Sequence, residues 1–215
     1  MRLLLTFVIL GFACCGHAQN WQSQVGINLA TLPGKSIEIT SEFSPNLNAW
    51  ALTLQGGYTF QNSFGGFASG YMCDCGVDDI KTSGAFLKAG ARIDVIRSSK
   101  PTAKVGLKLG SAFLGSSYDQ KGIINSFSSG EKMHYLASEH GIRIGLALSA
   151  AAAFRLSSRW GLDVGLQKFV PFSSRDNYLI SGSFMSHQPG VGLLSQEAIW
   201  YTGLQGIVTI HYQLN

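Results

Sequence analysis

Residues 84–96 read Gly84-Ala85-Phe86-Leu87-Lys88-Ala89-Gly90-Ala91-Arg92-Ile93-Asp94-Val95-Ile96, and their alternation decides the fold class. Ala85, Leu87, Ala89, Ala91, Ile93 and Val95 fall on one face of an extended chain. Phe86, Lys88, Gly90, Arg92 and Asp94 fall on the other. Period two is the signature of a β-strand with one apolar face, whereas a helix would repeat its apolar positions every three or four residues.

The same pattern extends outward in both directions. Residues 102–115 set Ala103, Val105, Leu107, Leu109 and Phe113 against Thr102, Lys104, Gly106, Lys108 and Gly110, after a short turn at 97–101. Residues 141–155 and 159–170 make a second alternating pair, joined through Ser157-Ser158. Weaker alternation marks 22–30, 36–43, 49–60 and 198–213. The sum is eight strands, the even number that a closed barrel with both termini at one end needs. Connection lengths alternate too. Turns at 44–48, 97–101 and 156–158 are short, and connections at 61–83, 116–140 and 171–197 are long; the remaining one, 31–35, is a short Pro33-Gly34 turn.

Composition agrees with an all-β chain: 26 Gly, 5 Pro and 13% charged residues in 215. Arg2, the apolar run from Leu3 to Cys15, and Gly16-His17-Ala18 before Gln19 read as a signal peptide over 1–18, with a barrel domain over 19–215. Lipidation at Cys14 or Cys15 is the competing reading of that segment. The net charge of +4 includes Arg2, and no basic run follows, so nucleic acid is not an expected partner.

An alternating barrel can hide its apolar face in a soluble core or turn it to lipid. The eight spans hold Glu38, Glu42, Lys88, Arg92, Asp94, Lys104, Lys108, Arg143, Arg155, Arg159 and Asp163 on the polar face, beside small residues, and only Lys168 on the apolar one. Aromatic residues gather at strand ends on the apolar face: Trp21, Trp50, Phe60, Phe113, Phe154, Trp160, Trp200 and Tyr212. Such girdles, with spans long enough to cross a bilayer at a tilt, favour lipid outside and a narrow charged lumen inside. The expected fold is thus an eight-stranded antiparallel up-and-down transmembrane β-barrel; a soluble secreted lipocalin-like barrel is the alternative.

An eight-stranded lumen is filled by its own side chains. Its charges must therefore pair. A symmetric hairpin about 97–101 brings Asp94 opposite Lys104, leaving Glu38, Glu42 and Asp163 to serve Lys88, Arg92, Lys108 and Arg143. Arg155 and Arg159 should share a wet rim.

The signal ending His17-Ala18-Gln19, the Gly-rich strands Leu87-Lys88-Ala89-Gly90-Ala91-Arg92 and Val105-Gly106-Leu107-Lys108-Leu109-Gly110, and the C-terminal strand Gly206 to Leu214 resemble the small outer-membrane barrels of the OmpX, OmpA and PorT-like type. The resemblance implies the cell outer membrane as location, outer-membrane lipid as surroundings, and a structural, adhesive or secretion-associated interaction role for a monomer. A protein or polysaccharide partner would meet the long extracellular loops, and no cofactor is implied.

The enzymatic alternative is a lipid-modifying barrel. Ser138-Glu139-His140 and Ser186-His187 supply nucleophile and base types, but adjacent residues seldom form a triad, and His211 has no carboxylate partner in the expected register. Cys73-Asp74-Cys75 in the first long loop suits a strained disulfide, intermolecular pairing or free thiols; with Asp78 and Asp79 nearby it still lacks a metal-ligand set of defined spacing.

Overall fold

A computed structural model of the chain describes residues 21–45, 49–62, 76–96, 105–128, 131–172, 186–194 and 203–214. The signal segment 1–18, Cys73, Cys75 and Lys104 lie outside them. Eight strands form the wall: β1 (Trp21–Asn28), β2 (Ser36–Pro45), β3 (Trp50–Asn62), β4 (Gly76–Ile96), β5 (Val105–Ser128), β6 (Glu131–Arg155), β7 (Trp160–Pro171) and β10 (Leu204–Gln213). Each pairs antiparallel with its neighbour in sequence, and β10 returns to β1. The result is a closed up-and-down barrel, which leaves no strand edge along the paired wall. Two short strands, β8 (Ser186–Gln188) and β9 (Gly192–Leu194), form a hairpin that meets β10 at Leu204.

The wall is inverted relative to a soluble barrel. Leu87, Phe113, Ile144, Val164 and Leu166 are exposed on its outside, with Phe113 at 66%. Glu38, Lys88, Arg143, Asp163 and Gln167 are buried inside. Aromatic contacts mark two levels on the outer surface. Trp21 meets Trp50 and Trp160 meets Tyr212 at the end that holds the short turns, with centroids 5.9 and 5.0 Å apart. Tyr58 meets Phe60 and Phe113 meets Phe172 toward the opposite, loop-side end, at 5.1 and 6.1 Å. From Trp160 to Phe172, a strand tilted by about 40° with a rise of about 3.3 Å per residue climbs about 30 Å, the thickness of a bilayer's hydrocarbon.

The long connections differ from the sequence expectation. β4 begins at Gly76, and β5 and β6 continue to Ser128 and from Glu131, so residues expected as loops at 76–83, 116–128 and 131–140 are strand. Beyond Phe113, β5 adds about 50 Å of strand path. Pairing accounts for this: every residue from Val105 to Ser128 has a partner on β6, and such a ladder needs no apolar alternation to hold it. Among the described residues the final strand runs over Leu204–Gln213, and the expected start at 198 lies outside them.

Candidate functional site

The lumen is a stack of three polar layers. At its centre Lys88 from β4, 1% exposed, donates from Nζ to Glu38 Oε1 at 3.0 Å, Gln167 Oε1 at 2.9 Å and Gln205 Oε1 at 3.3 Å. Gln205 Nε2 returns a bond of 2.6 Å to Glu38 Oε2, and Gln167 Nε2 donates to Gln205 Oε1. Four strands, β2, β4, β7 and β10, are thereby tied across the barrel. A buried charge pair is tolerable only when such bonds fill the remaining lone pairs and protons.

Toward the turn side lies a cluster of both signs. Arg92 Nη2 is 2.8 Å from Glu42 Oε2, and its Nη1 bonds Asp94. Lys108 Nζ is 2.6 Å from Asp163 Oδ2 and 3.9 Å from Glu42. Glu42, Arg92, Lys108 and Asp163 line a cavity of about 60 Å³ with Thr40 and Thr209, room for a few waters. His211 closes the cluster: its Nδ1 is 3.8 Å from Asp163 Oδ2, and its ring lies where a side chain on Gly161 would have to go.

The expected partners change in three places. Asp94 stands opposite Lys108, not Lys104, because the β4 to β5 ladder, which also pairs Arg92 with Gly110 and Ile93 with Leu109, is displaced from the symmetric register; its carboxylate is held by Arg92 two residues back on its own face. His211 does have a carboxylate neighbour, Asp163, since the β7 to β10 register sets Asp163 opposite Thr209, one step along the same face. Arg143 lies over the Tyr118 ring at 3.8 Å and donates from Nη1 to Gln188 Oε1, contacts that the sequence did not suggest. Arg155 and Arg159 are both exposed at the turn-side rim.

The third layer, at the loop side, was not visible in the sequence. The turn between β8 and β9 folds into the mouth, burying residues 188–192. Ser116 Oγ donates to Pro189 O at 2.7 Å, and Gln167 Nε2 to Gly190 O at 3.2 Å. Val191 packs with Leu114, Ala147 and Phe169 in the apolar cluster of the lumen. Gly190, at φ +70, sits directly over Phe86, where a Cβ would come within 2.6 Å of the ring. By sequence, this segment falls within the long connection 171–197.

Closure of the wall depends on Asn28. β1 pairs with β10 only from Gln24 to Asn28. There the Asn28 side chain takes over as a backbone mimic: Oδ1 accepts from Val208 N at 3.0 Å and from Ala30 N at 3.1 Å, and Nδ2 donates to Gly206 O at 3.3 Å. The chain then turns through a 3-10 segment, Leu29–Gly34, into β2.

Ser138 and His140 share one exposed face of β6, and no hydrogen bond joins them among the described residues.

The solved structures similar to this one include two small membrane barrels. Ail, the attachment invasion locus protein of Yersinia pestis, aligns over 91% of this chain and 98% of its own at 11% identity and a TM-score of 0.41. Neisserial surface protein A (NspA) aligns over 90% and 94% at 12% identity and a TM-score of 0.40. No protein-family model matches the sequence, and the comparison with curated proteins gives no match.

Proposed function

We propose that this protein is an outer-membrane barrel whose role is interaction at the cell surface, with a sealed lumen acting as its structural core. The observation that carries the reading is the inverted wall: an apolar outer belt about 30 Å tall between two aromatic levels, around buried ion pairs. Above the belt, the β4 to β6 wall continues as a three-stranded sheet and the 186–194 hairpin corks the mouth. A corked lumen offers a solute no route, whereas a raised sheet offers a partner a broad surface. A protein or a polysaccharide outside the cell is the partner this geometry serves, and the molecule works as a monomer because the wall closes on itself.

Cell fractionation with gel migration of boiled and unboiled samples tests this. The expected result is an outer-membrane band whose migration changes on boiling, with an epitope inserted at 129–130 reachable by antibody on intact cells. Recovery in the soluble fraction, or an epitope reachable only after lysis, would overturn it. Steady large conductance in a planar bilayer would remove the sealed lumen.

A further inference from the structure

We propose that the hairpin between β6 and β7 is a seat for the phosphate headgroups of anionic phospholipids in the leaflet at the turn-side end. The proposal rests on the membrane reading above.

Arg155 and Arg159 stand four residues apart on this hairpin, both exposed, and neither forms an ion pair among the described residues. Each is instead oriented by a neutral acceptor. Arg155 Nε donates to Ser157 O at 3.2 Å, and Arg159 Nη1 donates to the Tyr212 hydroxyl at 2.9 Å. Both side chains are exposed, so further guanidinium N–H donors are within reach of solvent. The hairpin itself is firm: Ser157 Oγ accepts from the backbone N–H of Arg159 and of Trp160, Leu156 N donates to Trp160 O at 3.0 Å, and Gln213 N donates to Arg159 O at 2.8 Å. Two like charges on one hairpin, with no ion pair to a carboxylate among the described residues, suit an anion, and a guanidinium fork matches phosphate oxygens bidentately.

The surroundings select a lipid over a soluble anion. Trp160 and Tyr212, in edge contact, belong to the aromatic level that sits at a bilayer interface, so Arg159 lies at headgroup depth. Leu156, at the hairpin tip, is 58% exposed, an apolar side chain suited to acyl chains and not to open water. By sequence, the connections 46–49 and 97–104 at this same end contain no Asp or Glu, so the rim's own charge draws anions to it.

The test uses folded full-length protein in zwitterionic micelles, titrated with phosphatidylglycerol, phosphatidylcholine or inorganic phosphate, with retained lipid read by native mass spectrometry. Each arginine near a charged surface is worth about fivefold in binding. The wild type should retain phosphatidylglycerol at least about fivefold better than phosphatidylcholine. The R155Q/R159Q variant should retain the two alike. Tyr212→Phe, which keeps both charges but frees Arg159, should fall between them. Folded protein with no preference, or an unchanged preference in R155Q/R159Q, overturns the seat alone. Displacement of phosphatidylglycerol by equimolar inorganic phosphate overturns the lipid assignment in favour of a soluble anion. Protein whose migration does not change on boiling sinks the membrane reading and the seat with it.

Discussion

Replacing Lys88 with Met keeps most of the side-chain volume and removes the charge at the centre of the lumen. The ammonium makes three bonds, to Glu38, Gln167 and Gln205, at 2.9 to 3.3 Å, and both it and Glu38 are almost fully buried. After the change, Glu38 keeps only amide donors, Gln205 Nε2 at 2.6 Å and Asn28 Nδ2 at 3.4 Å. An anion stranded in this way costs about 3 to 5 kcal/mol, whereas a pair removed together costs little. Lys88→Met should therefore lose about 3 to 5 kcal/mol, and the double variant E38Q/K88M should recover most of that loss. For an unfolding slope of about 2 kcal/mol per molar urea, the single variant's midpoint falls by about 1.5 to 2.5 M. Urea unfolding of the folded barrel in phospholipid vesicles, followed by tryptophan fluorescence, reads both numbers. A single variant within about 1 kcal/mol of wild type, or a double variant that loses the sum of the two singles, would refute the buried network.

Two other changes probe closure. Asn28→Ala leaves Val208 N and Gly206 O without their side-chain partner at the seam and should cost about 1 to 3 kcal/mol in the same assay; no loss means the seam closes without it. Gly190→Ala puts a methyl against Phe86 in a left-handed backbone, so the hairpin should leave the mouth, seen as faster proteolysis within 186–194 while the wall stays folded. Unchanged proteolysis would show that the cork is not held as described.

The wall was legible because its physics is local. Alternation at Leu87, Lys88, Ala89 and the like needs only a two-residue period and a boundary between apolar and polar surroundings. What escaped was whatever depends on register. The β4 to β5 ladder is centred further along the chain than a symmetric hairpin about 97–101, which moves the opposite number of Asp94 from Lys104 to Lys108, and no single-strand pattern records that offset. The upper halves of β5 and β6 escaped because Asp119 to Ser128 carries no apolar stripe; those residues are strand through their partners on β6. The Pro189-Gly190 turn entered the barrel through contacts with Ser116, Gln167 and Phe86, far away in sequence. Likewise Asn28 reads as one polar residue at a strand end, and only β10 beside it reveals a backbone mimic.

The central claim is an inside-out barrel: apolar side chains in lipid, charges in the lumen. A spin-label scan of β7 measures it directly, with single cysteines placed in turn from 161 to 170 in a protein whose native cysteines are replaced, reconstituted in phospholipid vesicles. Oxygen, which concentrates in the bilayer, should relax labels at 162, 164, 166 and 170 strongly and those at 161, 163, 165, 167 and 169 weakly. The opposite phase, or no two-residue period at all, would contradict it.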